Sequence, residues 1–399
     1  MSASLLRAGL LAALLLLQGA SPAQPQSENR PQPQAQQQSL PQPQALGYMA
    51  WWMPDSWRSA SAARLDRVLF FELSIKPDGR IADRNGWPDQ WQEFRAGMKQ
   101  RGTPVDLVLT MFDIKAFNHL FGSARARARL VGDALELARH EDVAGLHLDL
   151  EVYDPVPAAS LKGVQQFVDE LARALHAQSP RRHLSVFLPI GGAVNLYDKA
   201  TLAQVDTVIL QGYDAHWAGA PTAGPVSPLS GPEAMTWEKA LAKGLELGVP
   251  RDRLLFSFPF FGYEWRVKGD APRGPTIGKG ATTSLVPLPE GLVPAIQANT
   301  RERAGTHGAR RDDLSGTVFY QYKASDRRHY EGWYEDTWSM QKKIEFLRRE
   351  SLGGLAFFVL GYDGDALLDH YLEGRAAPAV TPEKNAPSVA GSAWPFSTR

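Results

Sequence analysis

The sequence predicts an α/β fold, a parallel (β/α)8 barrel of the TIM type with a small α+β insertion after its seventh strand. Two observations predict it. Apolar runs bounded by turn residues recur eight times, at about 46–52, 67–73, 105–111, 143–151, 183–189, 205–213, 254–261 and 354–360. Helical patterns such as 124–140, 161–178, 237–247 and 337–350 separate most of them, and eight alternating units suit a closed barrel better than an open sheet. The second observation is the stretch Gly145-Leu146-His147-Leu148-Asp149-Leu150-Glu151. Strand side chains alternate, so His147, Asp149 and Glu151 share one face and the three leucines the other. Val143, Val152 and Leu107-Val108-Leu109 mark a strand covered outside by helices, which turns the polar row toward the barrel interior. Unpaired carboxylates are costly to desolvate there, which points to an active site at the strand's C-terminal end.

The insertion is read from length. Between Tyr263 and Asp336 the chain is rich in Gly and Pro and holds short β-like pieces such as Gly316–Tyr322, which places a subdomain at about 264–335. The ends read differently. Residues 1–23, with Arg7, the run Leu10–Leu17 and then Ser21-Pro22-Ala23, form a secretory signal peptide; the apolar run is well short of the ~20 residues that span a bilayer. Residues 24–45, mostly Gln, Pro, Ser and Ala, form a disordered linker, and 376–399 a disordered tail, leaving 46–375 as the barrel.

With 43 acidic and 43 basic residues the formal charge is zero, so no global field favours nucleic acid. The absence of cysteine excludes disulfides, thiolate metal sites, thiol nucleophiles and a lipid-modified cysteine anchor. The expected protein is a secreted or periplasmic monomer, not stably inserted in a membrane once the signal is removed.

Beyond this, the residues resemble glycoside hydrolase family 18, the chitinases and related N-acetylglucosaminidases. The family's fourth-strand signature runs Asp-Gly-x-Asp-x-Asp-x-Glu, and Ala144-Gly145-Leu146-His147-Leu148-Asp149-Leu150-Glu151 keeps its glycine and last two acids. Gln211-Gly212-Tyr213-Asp214 resembles the family's Met-x-Tyr-Asp, and Gly248-Val249-Pro250 leading to Phe258-Pro259-Phe260-Phe261-Gly262-Tyr263 its seventh unit. The likeness covers about Leu46 to Tyr371 and is closest to the spore-germination and peptidoglycan branch. It implies a retaining hydrolase of β-linked N-acetylglucosamine polymers, peptidoglycan or chitin, in which the substrate's own acetamido group is the nucleophile, with no cofactor or metal. In that reading Glu151 is the acid, Asp149 orients the acetamido N–H and stabilises the cyclic cation, Tyr213 bonds the acetamido carbonyl and Asp214 keeps tyrosine and sugar in register.

Trp51, Trp52, Trp217 and Trp265 follow barrel strands and are candidates to stack on sugar rings. Ala144 and His147 stand where the family has aspartates, and Phe358 where it has a tryptophan flooring the central sugar subsite. His147 has three readings: a donor that keeps Asp149 anionic beside the sugar, a metal ligand with the two carboxylates, or a hydrogen-bonded interior residue. Gln211 either contacts sugar or satisfies interior polar groups. Asp113 and Glu72 either line the cleft or join structural networks, the structural role being favoured, and Tyr322 and Trp333 are cleft wall or insertion core. The rival function is a catalytically silent sugar-binding protein on the same barrel.

Overall fold

The computed structural model describes residues 42–190, 195–289, 292–293 and 296–376. The expected signal peptide, the linker up to residue 41 and the tail from 377 lie outside them.

Eight parallel strands close into a barrel in the order expected: β1 (Gln44–Ala50), β2 (Arg67–Ile75), β4 (Val105–Met111), β5 (Gly145–Leu150), β6 (His183–Leu188), β7 (Thr207–Leu210), β8 (Leu254–Pro259) and β15 (Gly354–Phe358), with β15 returning to β1. A short β3 (Ile81–Asp83) pairs antiparallel to β2 at the rim. Outside lie α1 (Gln92–Arg101), α2 (Ile114–Gly122), α3 (Ala124–Ala138), α4 (Ala158–His176), α5 (Lys199–Gln204), α6 (Trp237–Glu246), α8 (Thr337–Glu350) and α9 (Ala366–Ala376). The 19-residue α4 shows why they pack there: Val164, Phe167, Val168, Leu171 and Leu175 recur at helical spacing and are all buried, so one stripe covers the sheet. Side-chain oxygens cap α2, α3, α5, α6 and α8 from Asp113, Ser123, Asp198, Thr236 and Asp336, satisfying N–H groups that helix starts leave open.

The barrel's N-terminal end is closed by buried Asp106, which accepts from Arg67 at 2.5 Å and pairs with His183 at 2.6 Å. Burial pushes its carboxyl up, but His183 and Arg67 beside it pull it below the usual range. This plug dictates Gly145: a Cβ there would lie 2.4 Å from the His183 carbonyl oxygen and 2.7 Å from Asp106.

After β8 the chain runs straight into the insertion. β9 (Phe261–Val267), β10 (Ala281–Ser284), β11 (Ile296–Asn299), β12 (Arg310–Asp312), β13 (Thr317–Lys323) and β14 (His329–Tyr334) form a six-stranded sheet in the order β11-β10-β9-β14-β13-β12, with α7 (Thr300–His307) beside it. Its core is Trp265, Trp333 and Tyr320, so Trp333 belongs to the small core.

Candidate active site

The C-terminal mouth of the barrel collects the acids. Thr110 on β4 sits in register beside Asp149 on β5, and Glu151 follows where the strand ends. Asp149 is buried and its Oδ1 has no hydrogen-bond partner among the described residues, whereas Glu151 is partly exposed. The two carboxyls hydrogen-bond each other. Burial, then the neighbouring Glu151 charge, then Glu72, hold the Asp149 carboxyl well above its ordinary range. Burial also raises Glu151, against the lowering effect of hydrogen bonds from Tyr153 and Asp149. Two acids 2 residues apart on one strand face thus retain a proton into the range where isolated carboxyls have lost theirs. The Tyr153 hydroxyl donates to Glu151 Oε2 at 2.5 Å and fixes the outer carboxyl.

Across the mouth, the segment after β7 presents Tyr213 and Asp214. Gly212 anchors it: its N–H donates to Ser257 Oγ at 2.9 Å, and its carbonyl accepts from Ser227 Oγ at 2.5 Å and Trp237 Nε1 at 2.9 Å. A Cβ on Gly212 would lie 2.0 Å from the Ser257 carbonyl oxygen, so no other residue fits. Asp214 follows in the left-handed region at φ 64°, a strained geometry that aspartate tolerates better than most residues. Its Oδ1 accepts from the Tyr263 hydroxyl at 3.0 Å, tying the insertion to the site, and burial pushes its carboxyl up to about 7. Burial and the nearby Glu151 charge push the Tyr213 phenol far up, so it remains a neutral donor.

Phe358 lies between these halves with its ring near Tyr48, Phe71, Tyr213 and Phe261, at centroid distances of 5.2–6.3 Å, and forms an apolar floor. Trp51 (43% exposed) and Trp217 (54% exposed) offer open ring surface at the rim. Partly buried Trp52 crosses Trp51 edge-on and donates through Nε1 to the Tyr362 hydroxyl at 2.9 Å.

Three expected contacts are corrected. Trp265 is 0% exposed, with its indole N–H on the Ala218 carbonyl, so it packs the insertion core and stacks on no sugar. Gln211 is buried; its Oε1 accepts from the Ile190 N–H at 2.7 Å and its Nε2 donates to the Tyr213 carbonyl, so it shapes the loop instead of meeting substrate. His147 is 0% exposed, one layer below the acids, its Nε2 3.0 Å from the Tyr48 hydroxyl and its Nδ1 2.8 Å from Ser185 Oγ. With both nitrogens engaged it serves neither Asp149 nor a metal, and the interior reading holds. Burial drops its pKa to about 3, so it stays neutral from pH 4 to 8. His147→Ala is expected to leave two buried hydroxyls unpaired and cost about 1–3 kcal/mol for each, read by denaturant unfolding. The pH–rate profile should keep its shape, and a moved acidic limb would show that the imidazole does reach the acids.

Ala144 lies at the opposite end of the strand, seven residues and so about 23 Å from Glu151, and that departure does not touch the site. Asp113 caps α2, as a structural role requires. The sequence reading missed Tyr153 and Tyr48. Glu72 reads as structural from the sequence, yet its Oε2 is buried without a hydrogen-bond partner among the described residues and its charge raises the Asp149 carboxyl. The available signal was a lone acid in the apolar run Val68–Ile75.

Residues 61–363 match the family described as Glycosyl hydrolases family 18. The cortical fragment-lytic enzyme of Bacillus subtilis is 23% identical over 280 residues, covering 67% of this chain and 59% of the relative, so the chain spans about three fifths of that protein's length. Among solved structures, a chitinase from Chromobacterium violaceum superposes with a TM-score of 0.67 at 21% identity, covering 84% of this chain and 99% of that one. A chitinase-like agglutinin from Robinia pseudoacacia superposes with a TM-score of 0.68 at 17% identity, covering 83% and 99%. At these identities the two structures speak to the fold.

Proposed function

We propose that this chain, which belongs to glycosyl hydrolases family 18, hydrolyses β-linked N-acetylglucosamine polymers, peptidoglycan or chitin, with retention and with the substrate's acetamido group as nucleophile. The observation that carries it is the proton-sharing pair Asp149–Glu151 at the open mouth, facing Tyr213 and Asp214. Protonated Glu151 gives its proton to the glycosidic oxygen as the C1–O bond breaks. The acetamido carbonyl oxygen bonds to C1 from the other face, and Asp149, accepting from the acetamido N–H, stabilises the cationic ring. Water then attacks C1, Glu151 takes its proton and the ring opens, two inversions giving net retention. Tyr213 offers its hydroxyl to the acetamido carbonyl, while Phe358, Trp51, Trp52 and Trp217 offer ring surface to the sugars. The N-terminal apolar run supports export, to the periplasm or beyond, with the polymer reached as a monomer.

The names of curated relatives support both polymers: one is a cortical fragment-lytic enzyme and another, from Niallia circulans, is named Chitinase A1. Purified protein incubated with chitooligosaccharides and with peptidoglycan, products read by mass spectrometry, tests the reading. De-acetylated chitooligosaccharides should be cleaved at least ~10²-fold more slowly, because they lack the nucleophile. Equal rates on both would end the substrate-assisted mechanism. The departures at His147 and Phe358 keep a silent sugar-binding protein as the second reading, and binding without any product would select it.

A further inference from the structure

The segment 211–236 between β7 and α6 forms neither helix nor strand, so beyond the Gly212 clamp something else must hold Tyr213 and Asp214 in place. The insertion does so. The Ala218 carbonyl accepts from Trp265 Nε1 at 3.2 Å and from the Gly280 N–H at 2.7 Å, and the Ala220 carbonyl from Thr276 Oγ1 at 2.7 Å. The Thr276 N–H donates to the Pro221 carbonyl and the Ala223 N–H to the Gly274 carbonyl, each at 2.9 Å, while the Leu229 N–H donates to the Ser315 carbonyl at 2.8 Å. Arg273 adds an ion-pair clamp, one nitrogen on Glu233 of the segment and another on Asp312 of β12. At the end nearest the acids this lacing comes down to one side chain. Tyr263 on β9 is buried, its ring against Phe261 and Trp265 at centroid distances of 5.5 and 5.6 Å, and its hydroxyl donates to Asp214 Oδ1 at 3.0 Å.

We propose that Tyr263 is a positioning residue through which the insertion holds Asp214 ionised and in register with Tyr213 for the sugar. The inference rests on the hydrolase reading. Burial and the Asp214 charge push the Tyr263 phenol far up, so it stays a neutral donor, and a neutral donor favours the ionised form of the carboxyl it bonds. Burial brings Asp214 up to about 7, the Tyr263 bond pulls it down and the Glu151 charge pushes it up. Near neutrality one hydrogen bond therefore decides its charge. The titratable groups facing it are Glu151 at the end of β5, Tyr153 and Tyr213, whose phenols feel its charge, and Tyr263 itself. Like charges repel, so an ionised Asp214 favours the protonated Glu151 that the first step needs.

Tyr263→Phe removes the hydroxyl and keeps the ring. Losing a hydrogen bond to a charged group moves a pKa by about 1–2 units, which leaves Asp214 mostly protonated at neutral pH. Hydrolysis of a chitooligosaccharide should then fall about tenfold near pH 7, and the deficit against wild type should shrink as pH rises toward about 9. A merely loosened site loses activity equally at every pH, so a deficit constant from about pH 6 to 9, or no deficit at all, overturns the proposal. The arm independent of turnover is carbon-13 NMR of protein labelled at its aspartate carboxyls, the Asp214 signal being identified by its absence in Asp214→Asn. Its titration midpoint, about 7 in the wild type, should rise by about one unit or more in Tyr263→Phe, and an unmoved midpoint overturns the proposal. If the wild type cleaves neither polymer, the hydrolase reading fails, and the titration still decides whether Tyr263 sets the charge of Asp214.

Discussion

Glu151→Gln lowers turnover of a chitooligosaccharide by about 10²–10⁴-fold, the ordinary worth of a positioned general acid, with KM little changed. Glutamine keeps the shape, and its amide still accepts from the Tyr153 hydroxyl that fixes Oε2, so position survives while the transferable proton is lost. The substitution also removes an ionisable group whose pKa its partly buried setting had raised, so the fold should not suffer. Leaving-group chemistry separates this role from a general disturbance. A sugar oxygen leaves poorly without a proton, but a nitrophenolate leaves unaided, so the first step on a nitrophenyl glycoside should lose far less than hydrolysis of the polymer. An equal loss on both substrates would mean that Glu151 shapes the pocket without donating, and no loss would remove it from the mechanism.

The barrel was legible because covered parallel strands and amphipathic helices write strong, opposite periodicities, and all eight apolar runs became strands. The discrepancies are at strand ends, where function takes over. The run 205–213 is a strand only over Thr207–Leu210, because the Gly212 clamp pulls Gln211–Asp214 out of the ladder. The acids were legible through alternation, but alternation reports the face and not the depth. His147 shares a face with Asp149 and Glu151 yet sits a layer deeper, where Tyr48 and Ser185 fill the barrel beside it. Glu72 was visible as a lone acid, but a one-residue register shift breaks the period of β2 at that point, so alternation does not report which way it faces. Trp265 follows a barrel strand like Trp217, but it lies within β9, whose packing inside the insertion no local pattern specifies.

Asp149→Asn should slow turnover by at least ~10²-fold while leaving the protein as stable or more stable at neutral pH. The asparagine amide accepts from an acetamido N–H and donates to Glu151, so contacts survive; what it lacks is the negative charge that meets the developing cation. Stability moves the other way. Burial and the Glu151 charge raise the folded Asp149 pKa above its unfolded value near 3.9. An acid raised in the folded state contributes stability that is present below the unfolded pKa and is lost as pH rises through the folded one. Asparagine has no such loss, so the melting temperature of Asp149→Asn relative to wild type should climb from about pH 4 upward through neutrality. Low activity with a melting advantage that grows with pH is the signature of a buried acid held for its charge. A melting difference that stays flat with pH would mean that Asp149 is an ordinary carboxylate whose loss merely loosens the site.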